Sequence, residues 1–128
     1  MEKARYEELA KRIFESALEV HKLLGPGLLE SVYHHALLQE LNIRNTICET
    51  EVKIPLAYKG IPTGKSLFLD ILVEHEIILE LKSVDEIQPV HMAQLLSYLK
   101  LTNKKMGFLI NFNVPLIKEG VRRIVHGY

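Results

Sequence analysis

The chain has 128 residues, of which 48% are hydrophobic and 25% charged, and we expect one globular domain over residues 1–128. No stretch approaches the roughly 20 apolar residues of a membrane helix, and the single cysteine, Cys48, excludes an intramolecular disulfide. We therefore expect a cytoplasmic protein with no membrane partner. A net charge of zero argues against a nucleic-acid binder that relies on bulk electrostatic attraction. Residues 100–128 nevertheless carry six basic side chains against one acidic, so this basic end is a candidate for phosphate contact.

Hydrophobic periodicity divides the chain into helices and strands. We expect helices over residues 3–24, 28–41 and 89–102. We expect strands over residues 46–58, 66–74, 76–83 and 106–112, with a turn or loop over 59–64. Residues 114–128 fit helix and strand patterns equally well. This order predicts an α/β fold in which antiparallel strands are followed by a crossover helix and a last strand parallel to one of them.

The second and third strands form a hairpin that carries the chemistry. A tight turn on His75 pairs residues whose numbers sum to about 150, which places Asp70 opposite Glu80. Because side chains alternate between the faces of a strand, Lys82 shares the face of Glu80. The other face is wholly apolar and is expected to be core: Leu69, Ile71, Val73, Ile77, Leu79 and Leu81.

Two carboxylates opposite each other on a sheet lie about 4.5–5.5 Å apart at Cβ and repel. A divalent cation would relieve this repulsion, since hard cations take carboxylate ligands. With a lysine beside them, Asp70 and Glu80 suit phosphodiester hydrolysis, in which the ion lowers the pKa of a bound water and the amine stabilises charge. The alternative is an exposed hairpin face with a Glu–Lys ion pair of little energetic value.

The helix after the hairpin offers a second polar group. Gln94 and Tyr98 are four residues apart and project from one face, with His91 one turn earlier. An amide and a phenol in this arrangement suit phosphate or base contact. They equally suit a capping hydrogen bond and a half-buried tyrosine.

These motifs resemble the PD-(D/E)XK nucleases: Asp70, then Glu80-Leu81-Lys82, then Gln94-x3-Tyr98, the last as in the RecB-like branch. The run Gly27-Leu28-Leu29-Glu30-Ser31-Val32-Tyr33 resembles the signature of the GxxExxY family. The resemblance implies a three-layer, restriction-endonuclease-like core, with a central mixed β-sheet of about four strands flanked by helices.

The same resemblance implies roles for individual residues. Asp70 and Glu80, with the backbone carbonyl of Leu81, would hold Mg²⁺ or Mn²⁺. Lys82 would be the catalytic lysine, and Glu30 an acidic residue contributed by the first core helix. Gln94 and Tyr98 would bind substrate.

Other residues have simpler explanations. Glu30 in the first turn of its helix is favoured by the helix dipole alone, and Tyr33 is expected to pack rather than react. The histidines, including His34 and His35, show no metal-ligand spacing along the chain, and one cysteine cannot build a thiolate zinc site. We expect Cys48 to be a small buried hydrophobe.

The sequence thus predicts a metal-dependent nuclease acting on DNA rather than RNA. A catalytically silent nucleic-acid- or protein-binding module on the same fold is the alternative, favoured by the neutral charge and small size. A homodimer would reconcile that size with duplex binding by doubling the basic surface.

Overall fold

A computed structural model describes all residues from Met1 to Tyr128. The helices are α1 (Lys3–Leu24), α2 (Glu30–Ile43) and α3 (Pro89–Thr102). The strands are β1 (Cys48–Tyr58), β2 (Ile61–Val73), β3 (Ile77–Lys82), β4 (Met106–Asn111) and β5 (Val121–Val125). The bounds of α1 and α3 match the sequence prediction, and α2 begins and ends two residues later than predicted. No helix combines the length and the apolar character needed to cross a membrane.

The five strands form one sheet in the order β1-β2-β3-β4-β5. Only the β3–β4 pair is parallel, because α3 carries the chain back across the sheet between them. Helices α1 and α2 contribute to a buried cluster on one face, and α3 contributes to a second cluster with Leu95 and Leu99. The predicted three-layer α/β fold is confirmed, with five strands rather than four.

The additional strand lies in residues 114–128, where the sequence fits helix and strand patterns equally well. After a short 3-10 helix at Ile117–Glu119, β5 pairs antiparallel with β4. Part of the basic end is engaged inside this fold, whereas Lys100, Lys105 and Lys118 are exposed. Arg123 donates two hydrogen bonds to Glu7, of 3.0 and 2.9 Å, and Lys104 donates to the carbonyl of His75.

The β2–β3 hairpin has the predicted register. Ile71 pairs with Leu79 and Val73 with Ile77, so paired numbers sum to 150. The turn lies at His75, where two successive residues adopt left-handed backbone angles, Glu74 with φ of 50° and His75 with φ of 61°.

The predicted apolar face is wrong at one position. Ile71 and Val73 pack with α1 and α2, whereas Leu69 lies in the cluster under α3. The side chains of β1 switch faces of the sheet at the same level. Cys48 contacts the cluster under α1 and α2, whereas Val52 contacts the cluster under α3. Strict alternation would keep each set on one face. The β1–β2 ribbon therefore twists between these residues, at the level of Asp70.

Beyond this twist β1 and β2 continue as a long hairpin. The predicted loop over 59–64 is wrong, since β2 begins at Ile61 and the turn is only Lys59-Gly60. Both turn residues have positive φ, 51° and 77°, as two-residue hairpin turns of type I′ require.

Candidate active site

Asp70 and Glu80 lie where the β2–β3 ladder ends. The last backbone pair is Ile71 with Leu79, and at the next position each carboxylate bonds to the neighbouring strand. The Leu81 N–H donates to Asp70 Oδ2 at 2.8 Å, and the Asp70 N–H faces Glu80 Oε1 at 3.4 Å. Side-chain oxygens thus take the place of backbone carbonyls, which brings the two carboxyl groups together as the sequence predicts.

Glu80 has an unusual environment for an acidic residue. Only 7% of its surface is exposed. Burial raises the pKa of the Glu80 carboxyl to about 9, and the negative charge of Asp70 and a hydrogen bond with it act in the same direction. Lys82, two residues further along β3, opposes the shift. The metal-free site therefore holds a proton at Glu80 near neutral pH.

Glu30 reaches this group from the other layer, at the start of α2. Partial burial raises the pKa of Glu30, Asp70 raises it further, and Lys82 lowers it. The preceding loop is held in place on both sides. Tyr33 donates to the Gly25 carbonyl at 2.5 Å, and Ser83 donates to the Leu28 carbonyl at 2.6 Å.

The α3 residues divide between the site and structural roles. Burial raises the pKa of Tyr98, and the charges of Glu80 and then Asp70 add to this shift. Gln94 is exposed one turn earlier. His91 caps the helix, since its Nδ1 accepts a hydrogen bond from the Gln88 N–H at 2.9 Å.

Two residues that sequence reasoning passed over also lie at the site. The ligand atoms of His34, Glu51 and Asp70 all lie within 4.8 Å of one another. The spacing of the histidines along the chain gave no sign of this group, because spacing cannot show a contact between a helix and two strands. Glu51 follows Thr50 in β1, and it lies at the level of Asp70.

These side chains open into a groove of about 560 Å³, whose lining includes Glu30, His34, Glu51 and Asp70. The donors fit a divalent cation. Carboxylate oxygens are the ligands that Mg²⁺ and Mn²⁺ prefer, and a buried carboxyl such as Glu80 ionises readily only when a positive charge is near.

Tyr33 packs as expected, whereas Cys48 is only partly buried rather than buried as predicted. Tyr33 is fully buried and stacks on Phe112 with ring centroids 4.5 Å apart. Cys48 is half-buried at the start of β1, and burial raises the pKa of its thiol to about 11, so the thiol is protonated and unreactive at neutral pH.

Comparison with known proteins agrees with this arrangement. Residues 7–124 match the family described as the PD-(D/E)XK nuclease superfamily. No curated protein and no solved structure matches the sequence. Since the family match covers nearly the whole chain, the protein belongs to the PD-(D/E)XK nuclease superfamily.

Proposed function

We propose that this protein is a nuclease of the GxxExxY type that hydrolyses phosphodiester bonds in DNA and depends on Mg²⁺ or Mn²⁺. The observation that carries the proposal is the carboxyl pair at the end of the β2–β3 ladder. Asp70 and Glu80 each bond across the strands there, with Lys82 close enough to influence the Glu80 pKa. An arrangement optimised for stability alone would not bury a carboxyl group beside a second one.

Asp70, Glu80 and the backbone carbonyl of Leu81 would hold the ion. When bound, it lowers the pKa of a coordinated water and neutralises charge that develops on the phosphate. Lys82 positions the attacking water or the phosphoryl oxygens. Glu30 has a raised pKa, which suits a carboxylate that accepts a proton from that water.

Tyr98 and Gln94 orient the substrate from α3. Burial and then the charges of Glu80 and Asp70 raise the pKa of Tyr98, so its phenol keeps its proton and can donate a hydrogen bond to a phosphate oxygen. Gln94 is exposed on the same helix, where its amide is open to a longer substrate.

The charge of the long β1–β2 hairpin favours a nucleic-acid substrate. Its residues 52–69 include three lysines and no acidic residue. The hairpin leads directly away from Asp70, and Lys53, Lys59 and Lys65 are exposed along it. A polyanion in the groove would therefore meet positive charge on one side of the reaction centre.

The test is cleavage of plasmid, linear duplex and single-stranded DNA, and of RNA, with Mg²⁺, with Mn²⁺ and in EDTA. We expect metal-stimulated cleavage of DNA that falls by roughly 100-fold or more in Asp70→Asn and Lys82→Ala, the loss typical for a group that stabilises the transition state. Lys100→Ala is the matched control, since Lys100 is an exposed lysine of α3. If no nucleic acid is cleaved and Lys82→Ala binds DNA as tightly as wild type, the protein is a binding module and the proposal is wrong.

A further inference from the structure

His34, Glu51 and Asp70 come from three different elements and meet on the α2 side of the groove. His34 Nδ1 lies 4.0 Å from Glu51 Oε1. This separation is too long for a hydrogen bond. Two ligands about 2.1 Å from one ion lie roughly 3.0–3.4 Å apart in octahedral or tetrahedral geometry, so a small rotation of the exposed Glu51 side chain would bring the pair to that spacing.

Thr50 connects His34 to Asp70. The Thr50 hydroxyl oxygen lies 3.2 Å from the Asp70 carbonyl oxygen and 2.6 Å from His34 Nε2. This contact holds the ring through Nε2 and leaves Nδ1 on the side of Glu51. Metal-binding histidines are commonly oriented in this way, by a partner on the nitrogen that does not bind the metal.

The backbone of β1 is distorted to bring Glu51 to this position. Glu51 has a φ of 51° inside the strand, a left-handed conformation that costs a non-glycine residue about 1 kcal/mol or more. It lies between the pairs Thr50–Ile71 and Val52–Leu69, at the level where the ribbon changes face.

The groove is lined by more carboxyl groups than histidines. Its lining contains the carboxyl groups of Glu30, Glu51 and Asp70 but neither lysine nor arginine. Lys82 lies outside this lining. A bound cation would supply the missing positive charge.

We propose that His34, Glu51 and Asp70 form a second cation site, which prefers a first-row transition metal such as Mn²⁺ to Mg²⁺. The preference follows from the donors, because an imidazole nitrogen binds such metals well whereas Mg²⁺ favours oxygen alone. The inference extends the proposed function, since Asp70 belongs to both sites, and the ion here would lie on the α2 side of the pair formed by Asp70 and Glu80.

The experiment is Mn²⁺ titration of the purified protein in excess Mg²⁺, followed by calorimetry and by electron paramagnetic resonance. His34→Gln and Glu51→Gln should each weaken one bound Mn²⁺ by more than about tenfold, the loss that even an outer-shell partner of a metal can cause. Pulsed spectra of the bound Mn²⁺ should show a coupled imidazole nitrogen in wild type and not in His34→Gln. Matched controls are His35→Gln and Glu49→Gln, which change the neighbouring residue of each type and should leave both signals unchanged.

Glu80→Gln separates this inference from the proposed function. If the second site exists but the nuclease proposal fails, wild type and Glu80→Gln both keep the nitrogen-coupled Mn²⁺ although the wild type cleaves no DNA. If Mn²⁺ binding is the same in wild type, His34→Gln and Glu51→Gln, the two residues form only a His–Glu ion pair and the inference is overturned. A single ion weakened equally by His34→Gln and Glu80→Gln would also overturn it, because that result describes one joint centre.

Discussion

Replacing Glu80 by glutamine should stabilise the metal-free protein. The wild-type carboxyl has a pKa of about 9 in the folded state and an ordinary value of 4.5, so the folded protein binds this proton more tightly than the unfolded chain. The corresponding stability is fully present below pH 4.5 and is lost as the pH rises towards 9. At about 1.4 kcal/mol per pH unit, the accumulated loss is about 3 kcal/mol at pH 7.

Glutamine is nearly isosteric, carries no charge and keeps an oxygen to accept from the Asp70 N–H. The Glu80→Gln variant should therefore equal wild type near pH 4.5 and exceed it progressively at higher pH. For a chain of this size, the difference at pH 7 corresponds to a melting temperature about 10 °C higher.

The assay is urea and thermal unfolding in EDTA at several pH values between 4.5 and 9. The control is Glu86→Gln, which removes an exposed carboxylate from the loop before α3 and should leave the free energy of unfolding unchanged at every pH. Equal stability of wild type and Glu80→Gln across the whole range would refute the reasoning, because it would mean that the buried carboxyl carries no penalty.

Two further substitutions test the frame around the site by thermal unfolding. Gly120→Ala should destabilise the fold by about 1–3 kcal/mol or more, because a Cβ there would lie 2.0 Å from the backbone oxygen of Asn111. An unchanged melting temperature would contradict that close approach. Tyr33→Phe should lower the free energy of unfolding by about 1–2 kcal/mol, because it removes the hydrogen bonds that the hydroxyl makes with the Gly25 carbonyl and the Leu28 N–H. A smaller loss would mean that water replaces these bonds.

The sequence could predict the β2–β3 hairpin because its information is local. A short turn and two apolar runs determine the register, and the register places Asp70 beside Glu80. The position of Leu69 could not be predicted in this way. Strict alternation assigns it to the face of Ile71, and only the twist of the β1–β2 ribbon moves it under α3.

The roles of His34 and Glu51 lay beyond sequence reasoning for a related reason. Their contact depends on how α2 packs over the sheet, which no periodicity in either segment reports. Recognising the two-residue turn at Lys59-Gly60 would not have been enough, because the register that it starts, with Tyr58 opposite Ile61, continues to Glu49 opposite Asp70. Only the register shift between Pro55 and Ala57 brings Glu51 to the level of Asp70.

The strand order has a consequence for how the chain folds. Every neighbour in the sheet is also a neighbour in sequence, so each strand joins the growing edge by closing one connection, the longest of which is the α3 crossover between β3 and β4. The contact between Glu7 and Arg123, 116 residues apart, closes a far longer one. We expect the hairpin of β2 and β3 to form in the transition state and α1 to dock late. Truncating Leu79 should then slow refolding in stopped-flow experiments, whereas truncating Leu9 should mainly accelerate unfolding; the reverse pattern would exclude this order.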